Sequence, residues 1–320
     1  MRILIVHSGN ATSGLSSQYT FVYEQGEALK KVGVEISYFA VLGKGILGYA
    51  RAYCKLYRKI IDFNPDIIHA HYGLCGLLCV LQRRIPVVVT YHGSDINNPN
   101  VFRWSKIAML LSHWNIFVSN NGILKVRAKC HNYSLLPCGI PLTDEQCTAK
   151  TDARHMMRLD PSAKIILFAG AFDNPIKDVL LAQKAINILC KNGEHIQLLE
   201  LKGYTRTQVN LLLCAADVFL MTSKMEGSPQ VIKEAMACGC PIVSVNVGDV
   251  AERIGEIDGC YITPTRTAED IASCIVKALS FDGRTKGRQY VIDEGLDNRC
   301  VAKKLLDIYI TILKKNGYKK

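Results

Sequence analysis

Two glutamates, Glu226 and Glu234, stand eight positions apart in "SKMEGSPQVIKEAMACGCPIVSV" (223–245), with a Gly-Ser-Pro step between them. An ionised carboxylate only accepts hydrogen bonds, so a pair of them suits a ligand rich in hydroxyls. Ser228 before Pro229 reads as a helix cap with proline at the first helical position, where its missing N–H costs nothing. Gly239 ends that helix and Pro241 blocks its continuation, which predicts a helix over about 229–238. The run before it, "DVFLMTS" (217–223), reads as a strand. A helix opening at the carboxyl end of a parallel strand turns its first amides, here those of Gln230 and Val231, toward a bound anion. With the positive end of the dipole, those amides make a phosphate site. Carboxylates repel phosphate, so Glu226 and Glu234 on either side of it are left to hold sugar hydroxyls. The spacing alone carries nothing: Glu27 and Glu35 are also eight apart and read as a helix face and a strand start.

The elements that must position these residues follow from hydrophobic pattern. "RILIVH" (2–7) is short and apolar enough for a buried strand, and a Gly/Ser/Asn/Thr loop (8–17) and a helical pattern to about Val32 follow it. "VEISYFA" (34–40), "PDIIHAH" (65–71), "PVVVTYH" (86–92), "NIFVSN" (115–120) and "YSLLPCG" (133–139) continue the series, with helical segments between most of them. Around 142–163 the chain turns polar, and a second series opens with "KIILFAG" (164–170). Strands alternating with helices imply parallel sheets with right-handed crossovers, buried on both faces. The fold class is therefore α/β, with two doubly wound Rossmann-like domains and ligands at the carboxyl ends of the strands. The expected division is 1–148 and 149–297, with a helix and basic tail over 298–320 that can pack back on the first domain.

Composition narrows the class further. With 49% hydrophobic and 21% charged residues in 320, the chain is globular and needs no staples. Its thirteen cysteines lie scattered in apolar runs with no zinc-ligand spacing, as buried reduced thiols do in a cytosolic protein. No stretch reaches the ~18 apolar residues of a spanning helix, so a cytoplasmic protein is expected, at most peripheral on the inner face of a membrane. Of the net charge of +11, residues 1–150 hold +8, which suggests an anionic partner for the first half. Nucleic acid is not expected, because the basic residues form no recognition motif. A dinucleotide-dependent oxidoreductase is disfavoured too, since the loop after the first strand lacks Gly-x-Gly-x-x-Gly.

At "EGSPQVIKEAMACGCPIVSVNVGDVAE" the chain closely resembles the donor-site signature of the retaining glycosyltransferases of family four, whose GT-B fold sets two Rossmann-like domains facing across a cleft. The resemblance continues in "LFAGAFDNPIKD", in "TYHGSD" and in the Gly-rich loop after the first strand, in the family's order over most of the chain. It implies that Glu226 holds hydroxyls of the donor sugar and Glu234 the ribose. The backbone from Pro229 through Gln230 to Val231, after Gly227 and Ser228, would bind the diphosphate, and Lys177 would neutralise it as it leaves. Gly14 would let the first-domain loop approach the phosphates. His92 would contact the donor sugar near the reacting centre, with Gly93 and Asp95 shaping its loop. The catalytic residues implied are thus His92, Lys177 and Glu226. Each has a bland alternative: Asp95 can simply cap a turn, Lys177 alone would be a surface lysine, and His69 and His71 read as packed histidines.

The chemistry implied is hexosyl transfer with retention from a UDP- or GDP-sugar to a hydroxyl of a glycan or lipid-linked acceptor. It would serve surface polysaccharide or cell-envelope glycan assembly, such as capsule or lipopolysaccharide, with no cofactor and no metal. Two departures stand out. The family's usual arginine after the 164–170 strand is Ala171, and losing such a donor removes roughly 2.7–4 kcal/mol of transition-state stabilisation unless Lys224 or Arg206 replaces it. The segment "NGEHIQLLELKGY" is also shorter than in many relatives, which leaves the base open. A non-catalytic nucleotide-sugar-binding or partner-binding member, or an epimerase on the same architecture, is the alternative. In "GYARAYCKLYRKIID" (48–62), Arg51, Lys55, Arg58 and Lys59 share a helical face beside Tyr49, Tyr53 and Tyr57. Such a stripe suits either an anionic membrane surface or an ordinary wet helix.

Overall fold

In the computed structural model, residues 1–9, 20–42, 45–126, 132–191, 193, 195–315 and 317 are described, and of 45–47 only the backbone. Gly14 lies outside the described residues. The chain divides into two units, Met1–Ile140 with Asp297–Lys320, and Pro141–Leu296.

The first unit runs β1 (Arg2–Gly9), α1 (Thr20–Lys31), β2 (Glu35–Leu42), α2 (Gly45–Phe63), β3 (Ile67–His71), α3 (Gly73–Val80), β4 (Val87–Tyr91), α4 (Ser94–Asn97), α5 (Pro99–Leu111), β5 (Trp114–Phe117), α6 (Asn120–Val126) and β6 (Tyr133–Leu135). Its six strands are all parallel, in the order β2-β1-β3-β4-β5-β6. Side chains alternate across a strand, so one sheet carries two cores. Leu4, Val6, Ile68, Ala70, Val87 and Val89 pack on the face covered by α2, α3 and α5. Ile3, Ile5, Ile67, Val88 and Ile116 pack on the other. That second face is closed by α1 and by the last helix of the chain, α14 (Asn298–Lys315), through Val301, Ala302, Leu305, Tyr309 and Ile312.

The second unit runs α7 (Lys150–Met156), β7 (Lys164–Phe168), α8 (Val179–Lys191), β8 (Ile196–Glu200), α9 (Arg206–Ala215), β9 (Val218–Met221), α10 (Gln230–Ala237), β10 (Ile242–Ser244), α11 (Val250–Ile254), β11 (Cys260–Ile262), α12 (Ala268–Leu279) and α13 (Gly287–Asp293). Its parallel sheet has the order β11-β10-β9-β7-β8. Ile166, Phe168, Val218, Leu220 and Val243 form the core under α8 and α12. In both sheets the chain starts mid-sheet and reverses direction, which sets a switch point between β1 and β3 and another between β7 and β9. Ligands of open α/β sheets bind at the carboxyl ends of such strands.

The units divide at Ile140, earlier than the expected break near 148. The turn Asp144–Cys147 belongs to the second unit, held by Arg288 on Gln146 Oε1 at 3.1 Å and by Asn210 on Thr143 Oγ1 at 3.4 Å. Residues 139 and 298 lie so close that a Cβ on Gly139 would stand 2.9 Å from the Asn298 amide nitrogen, and only glycine fits there. Of the three tyrosines expected beside the basic face of α2, Tyr57 is half-buried and the other two turn toward the sheet. Tyr49 and Tyr53 pack against the core because their spacing puts them with buried Ala52, Leu56 and Ile60.

Candidate active site

At the carboxyl end of β9 the chain passes Glu226 and Gly227 and enters α10 at Gln230. The cap is Pro229 itself, in extended conformation with no side-chain cap bond, rather than Ser228. The Ser228 hydroxyl instead lies 3.5 Å from the ammonium of Lys233, a fully buried lysine inside α10. Glu226 therefore sits in the loop before the helix and Glu234 within it. The loop is held from beneath: the Asp249 amide donates to the Gly227 carbonyl at 3.1 Å. Gly248, at φ +61, leaves room for that carbonyl, which a Cβ would meet at 2.5 Å. Asp249 is fixed in turn by Arg253 at 2.9 Å.

Lys177 reaches this loop from the β7 side. Its ammonium donates to Glu226 Oε1 at 2.7 Å, with both side chains about four-fifths buried. Gly170 makes the approach possible, because the lysine stem lies across it and a Cβ there would meet Lys177 Cγ at 2.9 Å. The lysine's loop is tied to the end of β9 on several sides. Thr222 Oγ1 donates to the carbonyls of Lys177 and Asp178, both at 2.9 Å, and the Lys224 amide donates to the Ile176 carbonyl at 2.8 Å. Asp178 holds a left-handed backbone, φ 56, which in a non-glycine residue is stored strain of the kind found at functional loops. Arg266 bridges Asp178 Oδ2 and the carbonyls of Thr222 and Ser223.

Of the two cations expected to stand in for the arginine replaced by Ala171, Arg206 lies at the site. From the start of α9 its guanidinium donates to Glu234 Oε1 at 2.6 Å. Glu234 is only 4% exposed beneath it, so its carboxylate does not stand open as the sequence suggested. Lys224 is largely exposed and lies 3.9 Å from Asp178. Gln230 and Val231 open the helix half-buried, and Pro229 and Gly227 are buried. A cavity of about 590 Å³ lies elsewhere in this unit, at the amino ends of β9 and β10, lined by Asp217, Cys238, Pro241, Arg284 and Arg288. It sits at the wrong end of the strands for a ligand of this sheet type, and the Glu226 loop remains the candidate.

The first unit, taken by itself, holds a column of imidazoles on β3 and the loop after β4. His69 and His71, at a spacing of two, share one face of β3. Their rings stack at 4.7 Å, and His71 stacks on His92 at 5.2 Å. His71 Nδ1 lies 3.0 Å from His92 Nε2, while His69 is held by Tyr309 Oη at 2.6 Å and Thr90 Oγ1 at 2.8 Å. Burial pushes the His69 pKa down to about 3, and burial with the neighbouring histidines holds His71 well below the usual range. Both are therefore neutral. Among the described residues His71 Nε2 is buried without a partner, and a bare acceptor there is cheaper than an orphaned N–H. The proton of His71 accordingly sits on Nδ1 and is donated to His92 Nε2, which leaves the His92 proton on Nδ1. Alternation along "HAH" was the signal available for this column, and the sequence reading passed over it.

Asp95 is engaged by backbone amides of its own unit. It is 2% exposed, and its oxygens accept from the amides of Gly73 (3.1 Å), His92 (3.1 Å) and Gly93 (3.0 Å). Burial raises its pKa to about 6 against the pull of those amides. It fixes the loop that carries His92, with Gly93 at φ +104 completing the turn. Tyr72, at φ 73, packs its ring 4.6 Å from that of His92.

Comparisons with known proteins bear on the family and the fold. Residues 18–143 match the model of Glycosyltransferase Family 4, and residues 193–280 match that of Glycosyl transferases group 1. The Bacillus subtilis protein TuaC, named as a teichuronic acid biosynthesis glycosyltransferase, is 29% identical over 244 residues. That match takes in 68% of this chain and 62% of TuaC, so the chain spans less than two thirds of that relative. Among solved structures, sucrose-phosphate synthase from Thermosynechococcus elongatus superposes with a TM-score of 0.79 at 17% identity, over 98% of this chain and 99% of that one. Anabaena HepE, in complex with UDP and glucose, gives 0.71 at 14% identity, over 97% and 100%. With one family model on each Rossmann-like unit, in the family's order, and the fold shared from end to end, the chain belongs to the group 1 glycosyltransferases of family four.

Proposed function

We propose that this protein transfers a hexosyl group, with retention of configuration and without a metal, from a nucleotide diphosphate sugar to a hydroxyl of a glycan or lipid-linked acceptor in envelope polysaccharide assembly. The observation that carries the reading is the Lys177–Glu226 pair beside the amino end of α10, at the switch point of the second sheet. Helix amides at Gln230 and Val231, together with Lys177, are aimed where negative charge grows on the departing diphosphate. Glu226, one oxygen tied to Lys177, keeps the other for a sugar hydroxyl. Glu234 would take the ribose, and Arg206 supplies the cation that Ala171 does not. His92, whose Nε2 meets His71 and whose Nδ1 lies 3.8 Å from Cys138 Sγ, would contact the donor sugar. The UDP held by HepE favours a UDP-sugar, with a GDP-sugar as the other arm of the test.

A second reading, a non-catalytic binder of nucleotide sugars, draws support from Ala171 and from the cover that Arg206 lays over Glu234. A thermal-shift screen against UDP, GDP, ADP and their sugars comes first, because a ligand of the folded state raises the melting temperature. Release of nucleotide diphosphate is then followed with and without acceptor. Binding with turnover is the expected result. Binding without turnover for every donor favours the second reading, and no binding at all removes both.

A further inference from the structure

The outward face of α5 is apolar. Trp104 (42% exposed), Ile107 (39%), Leu110 (68%) and Leu111 (39%) follow one another at three- and four-residue steps, while Ser105, Ala108 and Met109 fill the inward face. A surface helix ordinarily reverses that pattern. Its cations sit among the apolar side chains: the Arg103 guanidinium lies 5.2 Å over the Trp104 ring, and the Lys106 ammonium 4.6 Å over that of Phe102. Leu81, 55% exposed at the end of α3, stands next to Arg83 and Arg84, both exposed. From residue 67 to residue 143 the chain has seven lysines and arginines and a single carboxylate, Asp95, which is buried. The described part of this stretch thus carries no exposed carboxylate to repel an anion, beside a row of apolar groups that water leaves poorly solvated.

We infer that α5 docks this protein on a bilayer containing anionic lipid. Trp104, Ile107, Leu110 and Leu111 would enter the headgroup boundary, with Arg103 and Lys106 on the phosphates. Tryptophan suits that depth, apolar in body and polar at one edge, and cations beside an apolar helical face are the pattern of interfacial helices. A protein partner of ordinary surface composition would meet the same row of cations with no acids to pair its own, and an anionic lipid surface meets it with complementary charge throughout. α2 fits the role less well: Arg51, Lys55 and Arg58 are exposed, but Tyr49 and Tyr53 pack inward, and among its described residues Ile61 alone is a large, strongly exposed apolar side chain, so no apolar row stands beside the cations. The inference deepens the reading above on its acceptor side, since a lipid-linked acceptor lies at such a surface, and it rests on that reading only for this purpose. No described helix is long and apolar enough to cross a membrane, so contact here is with the surface.

The test is cosedimentation of the full chain with phosphatidylcholine vesicles, with and without phosphatidylglycerol, at low and high salt. The expected result is binding to the anionic vesicles that weakens with salt. Trp104→Ser with Leu110→Ser, and separately Arg103→Glu with Lys106→Glu, should each lower it at least tenfold. Arg51→Glu with Lys55→Glu on α2 should retain most of it. All these side chains are exposed, so melting temperatures should stay near wild type. The inference is overturned if the chain does not sediment, if neutral vesicles bind it equally, if the α5 variants bind like wild type, or if only the α2 variant loses binding. Self-association that vanishes in the α5 variants, without vesicle binding, would assign the face to a second copy instead. Thermal shift with nucleotide sugars on the same samples separates the two readings. A chain that binds donor but no vesicle loses this inference alone, and one that binds vesicles but no donor loses the proposed function alone.

Discussion

Replacing Lys177 by methionine separates what the Lys177–Glu226 pair does for the fold from what it does for the reaction. The two groups are 2.7 Å apart with side chains 20% and 17% exposed. At an effective dielectric of ~20 and a charge separation of ~3 Å, their attraction is ~5–6 kcal/mol, most of it offset by desolvation. Exposed pairs are worth ~0–1 kcal/mol, and breaking a fully buried one costs ~3–5 kcal/mol. A pair four-fifths buried falls between, at ~1–3 kcal/mol. For a unit of this size each kcal/mol is worth ~2–4 °C, so Lys177→Met should lower the melting temperature by roughly 2–12 °C. Adding Glu226→Gln should return most of that loss, because no buried charge is then left without a partner. The kinetic effect is of another order. Losing a preorganised donor at a developing charge costs ~10²–10³ in kcat, read as release of nucleotide diphosphate under saturating donor. If Lys177→Met keeps kcat within a few-fold of wild type, the lysine stabilises the loop alone and the assignment of the leaving-group site is wrong.

Other outcomes follow from the same geometry. Gly248→Ala places a Cβ against the Gly227 carbonyl at a left-handed position, a strain of ~1–3 kcal/mol that should shift the Glu226 loop and weaken UDP-sugar binding in calorimetry. Arg206→Ala leaves the Glu234 carboxylate buried and uncompensated, so the melting temperature should fall and UDP affinity should drop ~tenfold or more, that is ~1.4 kcal/mol, whereas Arg206→Lys should keep part of both. The pH dependence of stability should have two opposed components. His69 titrates near 3 folded and at 6.5 unfolded, so the unfolded chain takes the proton first and stability is lost as pH falls below 6.5, by ~1.4 kcal/mol per unit. Asp95, raised from 3.8 to about 6, works the other way, since the folded state takes its proton first and stability is gained between pH 6 and 4. Melting curves should therefore fall less steeply with acid in His69→Gln and more steeply in Asp95→Asn; equal slopes in all three proteins would refute the two assignments.

Local chemistry in the chain was enough to determine the α/β series and, to within a residue at each end, the helix after "EGSP", though not its cap. Turn residues, proline and glycine act on their immediate neighbours, and a strand buried on both faces shows as a short apolar run. The chain also carried the candidate site residues of the second unit, because Gly227, Pro229, Glu226 and Glu234 lie within one loop and one helix. Tertiary structure decided which side chains meet. Lys177 reaches Glu226 across 49 residues, Arg206 reaches Glu234 across 28, and Tyr309 reaches His69 across 240. Those pairings depend on strand order, which hydrophobic periodicity does not encode. The order places β3 beside β4 so that His71 meets His92, and β7 beside β9 so that a lysine stem crosses Gly170. Burial was decided in the same way: Tyr49 and Tyr53 turned inward and Trp104 outward, because which face of a helix meets the sheet is set by packing.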